Sequence, residues 1–179
     1  LVHVDAVGLS RDPEGSLPLR GRCHHGVESI AREFCARQPL DWEGDAVTLV
    51  FDDSNGAGPQ AAYRAAEAIL HRLWFDLSVT SRCAVHAGRS LADPATTVDP
   101  RAVEQCRLVA AVAPDNSVLV TDDVYLALPE TVQERFDRLG FTDVGELLVH
   151  IYPRTSARQV REEAFRQQAD LKLWDAFRQ

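Results

Sequence analysis

The chain has 179 residues, 45% hydrophobic and 26% charged, enough for one domain with a single sizeable core. Its net charge of −8, from 19 basic and 27 acidic residues, argues against a binder of the nucleic-acid backbone. No apolar run approaches the roughly 18 residues of a membrane span. The single lysine, Lys172, precedes Leu173, which excludes a phosphate loop of the lysine-then-Ser/Thr type.

Residues 1–7 read as a first strand, broken at Gly8. Residues 11–21 carry two Pro and two Gly and read as a loop. Val27, Ile30, Ala31 and Phe34 have helical spacing, which predicts a helix over 27–37 that Pro39 ends. Residues 46–51 (AVTLVF) read as a buried strand, closed by the turn signal Asp52-Asp53-Ser54-Asn55-Gly56. Pro59 suits the first turn of a helix whose apolar face is Ala62, Ala65, Ala66, Ile69, Leu70 and Leu73. Residues 82–87 read as a strand and 101–113 as a helix. Pro114-Asp115-Asn116 reads as a turn, 117–121 as a strand, 122–128 as a short helix and 147–152 as a closing strand. After Pro153 the composition shifts. Val160, Ala164, Leu171 and Trp174 then predict a long amphipathic helix over 154–179. Strands alternating with helices indicate an α/β domain built on one central sheet.

Cys23, Cys35, Cys83 and Cys106 contain no CxxC pair, so neither a zinc ribbon nor a thioredoxin motif is present. Reduced thiols and a cytoplasmic location are the expectation, with no stretch of signal-peptide form. Cys23-His24-His25 with Cys35 fits no common zinc spacing and reads as a polar helix start followed by a buried thiol. His86 reads as a hydrogen-bonded core histidine, Asp52-Asp53 as solvated turn residues, and Trp74 and Trp174 as packing residues.

Two segments carry chemistry. In one, Asp5 ends a buried strand before Gly8; in the other, Asp45 follows Gly44 at the start of the AVTLVF strand. If these strands are antiparallel neighbours, the two carboxylates face each other. Their repulsion is then relieved by a cation or by a raised pKa. Hard divalent cations bound to triphosphates use one or two carboxylates plus phosphate oxygens. Read singly, each Asp beside a Gly is a turn residue.

Five stretches in register, covering residues 1–153, are similar to the catalytic domains of the class III nucleotidyl (adenylate and guanylate) cyclases. Asp5-Ala6-Val7-Gly8-Leu9-Ser10 resembles that family's first metal motif, and residues 43–51 (EGDAVTLVF) resemble the second. Residues 82–88 (RCAVHAG), the stretch from Arg107 through Pro114 to Tyr125, and the strand 147–152 resemble three more. The resemblance implies a ferredoxin-like α+β sandwich: a mixed, mostly antiparallel sheet flanked by helices. It implies two divalent cations, Mg²⁺ or Mn²⁺, held by Asp5, Asp45 and the Ala6 carbonyl. It also implies backbone N–H groups of Gly8, Leu9 and Ser10 around the phosphates, Arg107 on the α-phosphate, and a head-to-tail homodimer. The implied reaction turns a nucleoside triphosphate into a 3′,5′-cyclic nucleotide and pyrophosphate, and a cyclic-nucleotide effector would act downstream.

The chain departs from the family pattern at several positions. Val103, beside Glu104, stands where the family has a transition-state Asn. Asp41, followed by Trp42, stands at the base-reading position, and Val144-Gly145 stands where a phosphate-binding Lys precedes a Gly. Residues 90–100 align poorly. The chain thus also resembles the divergent bacterial pyrimidine (uridylate and cytidylate) cyclases of antiphage signalling. Asp41 would accept the uracil N3–H or the cytosine amino group, and Trp42 would stack on the base or pack in the core. An adenylate cyclase with an altered pocket, an inactive dimerisation or regulatory module, and a ligand-sensing domain of the same fold class are the alternatives. The last requires Asp5 and Asp45 to lie far apart.

Overall fold

The computed structural model describes residues 1–7, 9, 17–37, 40–53, 56–88, 98–141 and 148–153. The strands are β1 (Val2–Ala6), β2 (Asp41–Glu43), β3 (Ala46–Leu49), β4 (Ser81–Val85), β5 (Ser117–Thr121), β6 (Asp137–Phe141) and β7 (Leu148–Pro153). The helices are α1 (Leu17–Glu33), α2 (Gly58–His71), α3 (Pro100–Ala111), α4 (Asp122–Ala127) and α5 (Glu130–Gln133). One sheet runs β2-β3-β1-β4-β5-β7-β6, and only β4 with β5 is parallel. The α/β architecture and the mixed, mostly antiparallel sheet flanked by helices are therefore as expected. The proposed helix over 154–179 lies outside the described residues.

Strand alternation decides what each face buries. Val2 and Val4 of β1, Val47 and Leu49 of β3, Cys83 and Val85 of β4 and Val118 and Val120 of β5 join one core with Val27, Ala62, Ala66, Ile69, Leu70 and Leu73. Ala84 and Leu119 point the other way, into a smaller cluster with Cys106, Val109 and Ala110 of α3. Thus α1 and α2 cover one face of the sheet and α3 the other. The predicted apolar stripe of α2 is 0–2% exposed throughout.

α1 starts ten residues before the predicted helix. Pro18 sits in its first turn, where a missing N–H costs nothing, and an added Cβ at Gly21 would meet nothing within 4 Å. It ends at Glu33 because Cys35 turns left-handed (φ 59°), before Pro39 is reached. Cys35 is exposed, against expectation, while Cys23, Cys83 and Cys106 are buried and all four thiols are free. β2, α5 and β6 have no counterpart in the sequence reading. β2 has three residues and α5 a single turn, too short for a period to register, and Gly140 interrupts β6 at a register shift between Arg138 and Gly140.

α2 is entered as expected, with Pro59 in the first turn, and Asp53 Oδ1 accepts from the Gly58 N–H at 2.9 Å. Asp52 is exposed and ion-pairs with Arg37. A π-helical turn over Arg72–Asp76 follows α2. It buries Leu73 and leaves Trp74 42% and Phe75 60% exposed, so Trp74 is a surface residue rather than a packing one. Trp174 lies outside the described residues. Asn116 closes the predicted turn at φ 57°, its side chain accepting from the Ser81 N–H.

His86 is buried with Nδ1 3.3 Å from Thr121 Oγ1, as expected of a core histidine. His3 is buried too, its Nδ1 2.9 Å from Thr48 Oγ1. Burial, and secondarily the charge of Arg107, holds its pKa down at about 4. An unfolded imidazole takes up its proton near pH 6.5. Between pH 6.5 and 4 the unfolded chain binds the extra proton, so the His3 contribution is complete above 6.5 and is lost as pH falls toward 4. We expect urea unfolding to report a loss on the order of 3 kcal/mol from this group across that window, absent in His3→Gln. An equal pH slope in the variant would show that His3 is not its source.

Candidate active site

Gly44 makes the turn from β2 into β3 with φ +65°, a conformation that suits a residue without a Cβ. That turn delivers Asp45 to the end of β1. Asp5 pairs with Ala46 across the antiparallel β1–β3 ladder, and the Ala6 N–H donates to the Asp45 carbonyl at 3.1 Å. The antiparallel adjacency on which the two-aspartate reading depended is present, while strand alternation turns Asp45 toward α1 and Asp5 toward α3.

Asp5 is the member whose ionisation the fold opposes. Burial pushes the Asp5 carboxyl above the ordinary carboxylate range. Arg82, opposite it on β4, pulls the other way, and the charges of Asp45 and Asp115 add to the rise. Alternation places Asp5, Arg82 and His3 on the face that carries α3. Arg82 Nε donates to Asp115 Oδ1 at 2.8 Å.

Asp45 is the most enclosed member, its side chain 6% exposed. Its Oδ1 accepts from Nε (3.0 Å) and Nη2 (2.6 Å) of Arg20, on the first turn of α1. Its Oδ2 is buried without a hydrogen-bond partner. A buried carboxylate oxygen in that state is costly unless something fills the place. A hard cation is a fitting occupant, since the donors available are oxygens. Among the described residues no three His, Cys, Asp or Glu side chains gather to form a closed metal cage, so Cys23, His24, His25 and Cys35 form none. Two carboxylates are a donor set that relies on phosphate and water for the rest of a shell.

The other residues expected at the site are distributed unevenly. Leu9 packs its side chain into the core at 5% exposure, while Gly8 and Ser10 lie outside the described residues. Asp41 lies on β2, opposite Thr48. Trp42, next to it, has one ring face covered by the His24 imidazole, 3.7 Å away and 20° from parallel, and packs against the main core. Arg107 is on α3, 44% exposed, with Nη1 2.8 Å from Glu43 Oε2. Within its own chain it is tied to β2, not to the aspartates. Val103 is half-buried one turn earlier on α3, and Val144 lies outside the described residues. Sequence reasoning missed Arg20 and His24, which stand four apart on one helical face. The signal was there: the stripe Val27, Ala31 runs back through Cys23 to Arg20 at helical intervals.

No protein-family model matches the sequence, and no curated protein is a significant match. Solved structures do match. One is the dimeric guanylyl cyclase domain of the RhoGC fusion protein of the aquatic fungus Blastocladiella emersonii: TM-score 0.66 at 10% identity, over 84% of this chain and 93% of that one. Another is the adenylyl cyclase CyaB of P. aeruginosa, with TM-score 0.65 at 12% identity over 87% and 93%. A third is the guanylate cyclase domain of RhGC from Catenaria anguillulae, in complex with GTP, with TM-score 0.64 at 11% identity over 84% and 92%. Among the described residues no helix is long and apolar enough to cross a membrane. The chain has the fold of the adenylyl and guanylyl cyclase catalytic domains, with Asp5 and Asp45 on adjacent strands at one end of its sheet.

Proposed function

We propose that this chain is a metal-dependent nucleotidyl cyclase that converts a nucleoside triphosphate to a 3′,5′-cyclic nucleotide and pyrophosphate. The observation that carries the reading is that Asp5 and Asp45 sit on adjacent antiparallel strands, with Asp45 Oδ2 buried and unpartnered. A half-buried and a buried carboxylate on adjacent strands cost stability, and an idle site has no physical reason to keep them. In the reaction the ribose 3′-oxygen forms a bond to the α-phosphorus, the bond from that phosphorus to the β-phosphate bridge breaks, and the hydroxyl proton leaves to solvent. Bound cations, Mg²⁺ or Mn²⁺, would supply activation of the 3′-hydroxyl and neutralisation of the phosphates.

Asp5 and Asp45, with the Ala6 carbonyl, are the residues proposed to hold the cations. Backbone N–H groups of Gly8, Leu9 and Ser10 are proposed to hold the β- and γ-phosphates. Arg107 is proposed to stabilise the charge growing on the α-phosphate. In the head-to-tail homodimer that the resemblance implies, it would act across the interface, after leaving its surface pair with Glu43. UTP or CTP is the favoured substrate: Asp41 offers an acceptor for the uracil N3–H or cytosine amino group, and Trp42 would border the base. A role of the product in antiphage signalling belongs to the same reading and rests on the sequence resemblance.

A second reading, an inactive dimerisation or regulatory module, is favoured by one observation: Arg20 already neutralises Asp45. Incubation with Mn²⁺ and ATP, GTP, CTP or UTP, followed by mass spectrometry, separates the two. The expected result is a cyclic pyrimidine nucleotide, lost in Asp5→Ala. A folded protein yielding no product from any of the four supports the module instead, and a product from ATP alone supports an adenylate cyclase with an altered pocket.

A further inference from the structure

Arg20 binds Asp45 in an unusual way. A guanidinium meeting a carboxylate commonly uses two parallel N–H groups on two oxygens. Here both N–H groups converge on Oδ1, at 3.0 and 2.6 Å, and Oδ2 is left buried with no partner. The pair is also uneven in depth. The Asp45 side chain is 6% exposed, whereas Arg20 is 28% exposed and reaches in from the solvent side. Asp45 is fixed in the β2–β3 turn; Arg20 hangs on a long side chain from the first turn of α1 and can swing out without breaking the helix. Arg20 is the cation paired with Asp45, while Arg82, opposite Asp5, is itself paired with Asp115.

We infer that Arg20 is the resident cation of Asp45, and that a divalent cation binding there must displace it. This rests on the reading that Asp5 and Asp45 hold metal. A carboxylate shared between two cations needs both oxygens, and Oδ1 is saturated by Arg20. A dication at Oδ2 alone would sit beside a guanidinium on the same carboxylate, and that repulsion expels the more exposed partner. Metal affinity in the absence of nucleotide is therefore held down by the chain itself.

The test is Mn²⁺ binding without nucleotide, followed by the electron paramagnetic resonance of free Mn²⁺, in wild type, Arg20→Gln, Arg20→Lys and Asp45→Asn. Losing a charge-assisted competitor should tighten binding in Arg20→Gln by roughly ten- to a hundredfold. Arg20→Lys, which keeps the charge, should stay nearer wild type, and Asp45→Asn should lose the site. Binding in Arg20→Gln equal to or weaker than wild type, with Asp45→Asn still defective, overturns the role of Arg20 and leaves the metal site standing. No Mn²⁺ bound by wild type or Arg20→Gln overturns both. A measurement on wild type alone guards against a variant that fails to fold. The Arg20 Nε–H resonance, identified by its absence in Arg20→Lys, should move to the position of a free arginine as Mg²⁺ saturates the protein. A resonance unmoved at saturation overturns the inference.

Discussion

On the proposed cyclase reading, Asp45→Ala is expected to abolish cyclic-nucleotide formation, lowering turnover by about a thousandfold or more, the scale seen when a preorganised electrostatic group is removed from a reacting centre. The size of the effect follows from burial. Asp45 is the more enclosed of the two carboxylates, and its Oδ2 has no other partner. The fold should survive, because the ladder contact at this position is made by the Asp45 carbonyl, which alanine keeps. Arg20 loses its partner, but at 28% exposure it can turn to water. Asp5→Asn should be equally inactive yet differ in stability. Asp5 is held above its ordinary pKa, so the folded protein disfavours its charge. Removing that charge should raise the melting temperature of the metal-free protein at neutral pH. Mass spectrometry of the products and thermal unfolding of the same samples check both. Appreciable turnover in Asp45→Ala would remove the two-carboxylate mechanism.

Ile69→Ala lowers the stability by about 3–4 kcal/mol, the cost of deleting a buried branched side chain and leaving part of its volume empty. Ile69 lies in the stripe of α2 that faces the sheet and is fully buried among Leu70, Leu73 and the inward residues of β1 and β4. Domains of this size are stable by roughly 5–15 kcal/mol, so such a loss is a large share. Leu126→Ala is the control, because Leu126 is 65% exposed. It should change stability by no more than about 0.5 kcal/mol. Urea unfolding midpoints of the two variants give the comparison, and a shift in Leu126→Ala as large as in Ile69→Ala would contradict the assignment of the core.

What could be read from the sequence follows the length of each pattern. The strand over Ser117–Thr121 lies where the apolar run predicts it, because that run is continuous and bounded by turn residues, and the face of α2 is recovered residue by residue, because its pattern is long and periodic. Proline and glycine misled where position mattered more than identity: Pro18 and Gly21 mark the start of α1, not a loop. The aspartate pair was legible only on the condition that β1 and β3 are antiparallel neighbours, and strand order is a tertiary fact that local pattern does not encode. Arg20 illustrates the same limit. Its partner is 25 residues away, joined to it by the packing of α1 rather than by any spacing in the chain.

The outermost strands of the sheet bear on how copies of this chain can meet. β2 offers three residues, two of them acidic, and β6 breaks its register beside Gly140. Unpaired N–H and C=O groups on a long, flat rim invite a foreign strand, and short, charged or irregular rims discourage it. Neither rim here is a good template. Continuous sheets across two molecules, and the aggregation that grows from them, are thereby disfavoured, and association is left to the helical and open faces of the domain.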